Sequence, residues 1–102
     1  MAYAFTQDVP IDAVIYAQIA SGVGETPPDG LVVHLAFERP EGGLRYVDVW
    51  ESEAHWQRFV DGRLHPVVHE LLSAVFGDAL PPEPEQTVLR LVHVWQGSGQ
   101  SV

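Results

Sequence analysis

An α+β fold is predicted for these 102 residues: a four-stranded antiparallel sheet with two helices on one face. Three observations predict it. Leu31 to Arg39 and Leu44 to Glu51 are rich in β-branched and aromatic residues and flank the turn chemistry Pro40-Glu41-Gly42-Gly43, a β-hairpin signature. Ile11, Val14, Ile15 and Ile19 recur at helical spacing before the hairpin, and Leu64, Val67, Val68, Leu71, Leu72 and Val75 do so after it. Short strand-like segments lie at either end, Tyr3 to Gln7 and Thr87 to Trp95.

Taken in order, Tyr3 to Gln7 reads as a first strand, and Pro10 falls well in the first turn of a helix running to Ala20. Gly22 and Gly24 end that helix. The hairpin follows a Thr26-Pro27-Pro28-Asp29-Gly30 loop. With Glu41-Gly42 as its tip, Arg39 faces Leu44, Phe37 faces Tyr46, Leu35 faces Asp48, His34 faces Val49 and Val33 faces Trp50. A one-residue slip would move every one of these side chains to the other face. Ser52 is a good N-cap, with Glu53 in the first turn. Trp56, Phe59 and Val60 form the stripe of this second helix; Asp61-Gly62 predicts a break or kink, and Pro66 a restart. A loop with Pro81, Pro82 and Pro84 leads into the last strand, and residues 96–102 read as a polar tail on a single domain spanning 1–102. The resulting order, β-α-β-β-α-β, is ferredoxin-like.

In that register neither face of the sheet is polar. One carries Val33, Leu35, Phe37, Leu44, Tyr46 and Trp50; the other carries Val32, Ala36, Val47 and Val49. Two helices cover one face only, and each apolar side chain left wet forgoes roughly 1.5–3 kcal/mol. The expectation is a homodimer with two sheets facing each other.

Composition narrows the function classes. With 46% apolar and 19% charged residues the chain is globular. Cys 0 excludes disulfides, thiolate metal sites and a cysteine nucleophile. The formal charge of -9 would repel phosphate backbones and anionic lipids, so neither nucleic acid nor a membrane surface is expected as a partner. No apolar run is long enough to span a bilayer, and Met1 to Pro10 lacks the basic and apolar regions of a signal peptide, so a cytoplasmic location is expected. No phosphate loop, GxSxG elbow, HExxH or Walker motif occurs, which sets aside nucleotide-dependent and serine-hydrolase chemistry.

The segment Val47-Asp48-Val49-Trp50-Glu51-Ser52-Glu53-Ala54, followed by Phe59, resembles the strand-to-helix segment of the dimeric α/β-barrel superfamily, in its antibiotic-biosynthesis-monooxygenase-like branch. That branch often shows V-x-V-W-E-[SD]-x-x-A/H-F there. The likeness spans Leu31 to Leu72, and the element order extends it. It implies a dimeric α/β barrel with a ligand between sheet and helices in each protomer. Members include cofactor-free monooxygenases of aromatic polyketides, polyketide cyclases, dye-type peroxidases, haem-degrading proteins and proteins without known activity. The cyclase branch has an H-P-x-H segment on the second helix. Here His65-Pro66-Val67-Val68-His69 is one residue longer, which turns the later histidine by about 100°, and Gly62, Arg63 and Leu64 stand where a tyrosine is expected.

Candidate chemistry then falls on few residues. His65 and His69, four apart, suit an acid/base pair, a haem ligand or two metal ligands, or simply a polar flank of the helical stripe; two histidines are too few for a closed metal site, and none is expected. Asp48 sits among apolar neighbours, where a carboxylate must be paired or have a raised pKa that suits it to take a phenolic proton. Tyr46, Trp50, Trp56 and Phe37 suit either core packing or stacking on a flat aromatic ligand, and His34 either core or contact with that ligand. His93 is expected to be a satisfied core or interface group, and His55, on the first turn of its helix, to face solvent. The functional expectation is a cofactor-independent monooxygenase-like protein acting on an aromatic or polyketide-type molecule, with Asp48, His65 and His69 as catalytic residues. The alternatives are a non-catalytic binding or accessory protein, a polyketide cyclase, and a haem-binding or haem-degrading protein.

Overall fold

The computed structural model describes residues 2–77 and 84–95. The predicted polar tail, 96–102, and most of the proline loop lie outside them. The elements are β1 (Tyr3–Val9), α1 (Ala13–Val23), β2 (Leu31–Glu38), β3 (Leu44–Trp50), α2 (Glu53–Phe59), a π-helical turn (Val60–Leu64), α3 (His65–Phe76) and β4 (Gln86–Leu89). The sheet order is β2-β3-β1-β4 with every pair antiparallel, the predicted ferredoxin-like α+β topology.

Helix α1 begins at Ala13, three residues later than the proline suggested, because Asp12 caps it: its Oδ1 accepts from the Ile15 N–H at 2.9 Å. The predicted Ser52 cap is present, with Oγ accepting from the His55 N–H. The break or kink expected at Asp61-Gly62 takes the form of a π turn, and backbone torsions are helical at Val60 and His65. Pro66 explains it. A proline has no N–H to give the preceding turn and crowds the carbonyl four residues back, and one wider turn absorbs both problems without ending the helix.

The hairpin register is one residue from the predicted one. His34 faces Asp48, Ala36 faces Tyr46, Phe37 faces Arg45 and Leu35 faces Val47. Pro40 cannot donate to the ladder, so it cannot occupy the pair the two-residue tip required. The loop closes instead on Arg39 and Gly43, with Arg39 N–H donating to Gly43 O and Gly42 N–H to Arg39 O, both at 3.0 Å. Gly42 and Gly43 take the positive φ values (102° and 77°) of a three-residue hairpin with a bulge. A second irregularity, between Leu31 and Val33, shifts the register by one further residue and sets Leu31, not the predicted Val33, opposite Trp50.

The slip re-sorts the faces. Phe5, Gln7, His34, Tyr46, Asp48 and Trp50 point toward the helices; Val33, Leu35, Phe37 and Val47 point away. Two packed groups lie on the helix side. Val9, Ile11, Ile19 and Leu44 form a buried cluster against which Ile15, Tyr16, Leu64, Val68 and Leu71 pack. Phe5, Trp50, Trp56 and Phe59 form an aromatic cluster with neighbouring centroids at 4.8–5.4 Å, in which Phe5 and Trp50 are fully buried. On the opposite face Leu35 and Phe37 are exposed (43% and 50%), Val33 and Val47 are partly buried, and Ala4 and Val49 are buried. The predicted last strand stops at Leu89, because Leu89 already pairs with Ala4 and β1 begins at Tyr3. Beyond it Val92 and Trp95 are almost wholly exposed. Among the described residues no helix is long and apolar enough to cross a membrane.

Candidate functional site

The observed register brings a polar chain together on the helix side of the sheet. Asp48, in the middle of β3, is buried. Its Oδ1 lies 2.6 Å from His34 Nδ1 on β2, and its Oδ2 accepts from Trp50 Nε1–H at 3.1 Å. Both carboxylate oxygens are thus paired, which is what burial of such a group requires. An indole nitrogen only donates and a carboxylate accepts, so the proton shared with His34 sits on Nδ1, and in the neutral ring Nε2 is then the acceptor. Tyr16 of α1 meets that atom, its O–H donating to His34 Nε2 at 2.8 Å. The rings of Tyr16 and His34 stack at 6.0 Å, and Tyr46 packs edge-on against both. The result is a Tyr16–His34–Asp48 relay, anchored by Trp50.

Burial, and then the charge of Asp48, raise the Tyr16 pKa above that of an ordinary tyrosine. Tyr46 is pushed far higher, by burial first and then by Tyr16 and Asp48. Both phenols therefore stay protonated and act as donors near neutral pH.

Two cavities open between sheet and helices, of about 540 and 350 Å³. They share walls formed by Gln7, Ile19, Tyr46, Trp56 and Leu64. The smaller touches Tyr16, His34, Asp48 and Trp50, and is closed on one side by the loop after α1. Arg63, from the π turn, holds that loop by donating from Nη2 to the carbonyls of Val23 (2.9 Å) and Thr26 (3.0 Å). Its guanidinium also lies 5.6 Å from the centre of the Phe59 ring. The larger cavity is bounded by α3, including His65 and His69, and by residues 84–86. Each volume falls in the range of small-molecule sites.

The predicted site residues are therefore divided. Asp48, His34, Tyr46, Trp50 and Trp56 all line the smaller cavity. His65 and His69 are exposed side chains on the wall of the larger one and do not meet Asp48 in one pocket. Phe37 is on the opposite face and lines neither, a consequence of the register. Tyr16 was missed; the signal available was its place three residues before Ile19 and seven before Val23, on the inward stripe of α1. His55, expected to face solvent, is instead half-buried with Nδ1 2.6 Å from Ser52 Oγ. Among the described residues it also belongs to the one grouping with metal-ligand spacing, Asp29, Glu51 and His55, whose ligand atoms lie within 4.8 Å of one another. Asp29 and Glu51 are exposed.

No protein-family model and no curated protein matches the chain. Solved structures do. Rv0793 from Mycobacterium tuberculosis is 15% identical with a TM-score of 0.61, over 93% of this chain and 98% of that one. A candidate antibiotic biosynthesis monooxygenase from Chloroflexus aurantiacus is 16% identical with a TM-score of 0.57, over 92% and 98%. NE2512, a protein of unknown function from Nitrosomonas europaea, is 17% identical with a TM-score of 0.59, over 94% and 95%. At these identities the likeness is one of fold, and it is the fold that the segment Val47 to Ala54 resembles.

Proposed function

We propose that the protein binds a hydroxylated aromatic molecule between its sheet and helices and oxygenates it without a cofactor, as a monooxygenase-like enzyme. The observation that carries this reading is the Tyr16–His34–Asp48 relay on the wall of an aromatic-lined cavity. Because His34 Nε2 is occupied by Tyr16, the atom offered to a ligand is Tyr16 Oη. A phenolic O–H of the substrate gives its proton to Tyr16 Oη as Tyr16 passes its own to His34 Nε2. The imidazolium so formed is stabilised by Asp48, which holds the ring in the required tautomer. The substrate keeps the electron pair and becomes an electron-rich phenolate able to react with dioxygen. One oxygen atom enters the ring and the other leaves as water, with the substrate supplying the electrons. Trp50, Trp56 and Tyr46 would hold the ring and exclude water. The role expected for Asp48 becomes one of positioning, and the proton passes to His34. His65 and His69 are assigned to contact the far end of the substrate in the larger cavity.

The same reading includes a homodimer. Val33, Leu35, Phe37 and Val47 lie on the apolar face turned away from the helices, where Leu35 and Phe37 are exposed.

The test is oxygen consumption with a panel of anthrones and tricyclic hydroquinones. We expect turnover in the wild type and a loss of about 10²-fold or more in His34→Gln, with binding retained. His65→Gln/His69→Gln should raise KM and leave kcat nearly unchanged. Binding without oxygen uptake throughout the panel would favour the non-catalytic alternative.

A further inference from the structure

We infer that the site selects uncharged aromatic ligands and rejects those carrying a carboxylate, a deepening that rests on the proposed binding function. The argument comes from where the cations are. The sequence has 5 basic side chains, all arginines. Arg45 is paired with Asp8 at 2.7 Å and 3.2 Å, and Arg39 lies between Asp8 and Glu41 at 3.7 and 3.1 Å, all at the hairpin end. Arg63 is committed to two loop carbonyls. Arg58 and Arg90 are exposed. None of the five lines either cavity, and residues 78–83 and 96–102 contain no lysine or arginine.

The charged groups that do reach the cavities are acidic: Asp48 and Glu25 at the smaller, Glu85 at the larger. Asp48 spends both oxygens on His34 and Trp50 and has no proton to offer an anion. The remaining polar atoms belong to glutamines, tyrosines and the histidine pair, which suit hydroxyl and carbonyl oxygens. A ligand carboxylate would lose its water here, meet no fixed cation and feel repulsion from Asp48. Haem, with two propionates, fits poorly for the same reason, and so does a substrate still carrying a polyketide chain's free terminal acid. The supplying reaction must therefore deliver the substrate decarboxylated, esterified or closed into a lactone or amide.

The test uses matched pairs of one hydroxyanthraquinone as its free carboxylic acid and as its methyl ester, titrated by calorimetry at pH 7.5 against the full chain. The ester is expected to bind at least about tenfold more tightly. The acid should regain affinity as pH is lowered toward its own pKa, and the ester should change little. Equal or tighter binding of the acid would overturn the charge selection and leave the proposed function standing. Failure of both members, in every pair that includes a ligand small enough for the cavities, would remove that function and the selection together.

Discussion

Asp48 shows how one buried group sets the chemistry around it. Each of its oxygens has one donor, from His34 and from Trp50. Asn at this position keeps the shape but turns one acceptor into a donor, so that either His34 or Trp50 faces an N–H. Asp48→Asn is therefore expected to destabilise the fold by about 1–3 kcal/mol in urea titrations and to abolish the relay even where the protein stays folded. The tyrosines give a prediction at the opposite end of the pH scale. Tyr16 and Tyr46 have folded-state pKa values raised above the ordinary 10.0, chiefly by burial. Their contribution to stability is thus fully present below pH 10 and declines as the unfolded chain ionises above it, until the folded values are reached. Urea midpoints should fall between about pH 9.5 and 11, and less steeply in Tyr46→Phe; an unchanged slope would show that Tyr46 is not protected from ionisation. At this scale the sequence was informative about Asp48, because a carboxylate in an apolar strand demands a partner. For Tyr16 it offered only a place on the inward stripe of α1, because its partner His34 belongs to a different element.

At the scale of elements, the strands, the helices and their order were legible in hydrophobic period and capping residues, while the hairpin register was not. The difference between facing His34 with Val49 and facing it with Asp48 rests on Pro40, which lacks the N–H that a two-residue tip would use. That single slip removed Phe37 from the predicted site and set His34, already expected to contact a ligand, opposite Asp48. The π turn is a similar case: Asp61, Gly62 and Pro66 signalled a disturbance, but not that the proline would be absorbed by one wider turn without ending the helix. A comparison of two glycines tests how the β2 entry is held. Gly42 has φ 102° with nothing within 4 Å of an added Cβ, and its change to Ala should cost about 1–2 kcal/mol from backbone strain alone. Gly30 has φ 85°, and a Cβ there would fall 2.4 Å from the His55 ring, so Gly30→Ala should cost clearly more in the same thermal or urea assay. Equal costs would mean that the His55 ring yields freely.

For the whole molecule, the ferredoxin-like sheet divides labour between its faces. The helix-covered face holds the aromatic cluster, the relay and the two cavities; the other carries Val33, Leu35, Phe37 and Val47, of which Leu35 and Phe37 are exposed in the protomer. The sequence predicted an uncovered apolar face from the count of helices alone, and the structure retains that face with a different set of residues. Leu35→Lys/Phe37→Lys is expected to turn a dimer into a monomer in light scattering with the sheet intact by circular dichroism; a wild type that is already monomeric would remove the homodimer from the account. The division of faces also means that the proposed dimer contact and the proposed ligand site can be altered independently. The central claim is that a phenolic ligand docks on the Tyr16–His34–Asp48 relay, and a crystal structure with a tricyclic hydroxyanthraquinone bound tests it most directly. The account predicts a ligand hydroxyl within hydrogen-bonding distance of Tyr16 Oη, with the ring between Tyr46, Trp50 and Trp56. A ligand seated only against His65 and His69, leaving the relay untouched, would contradict it.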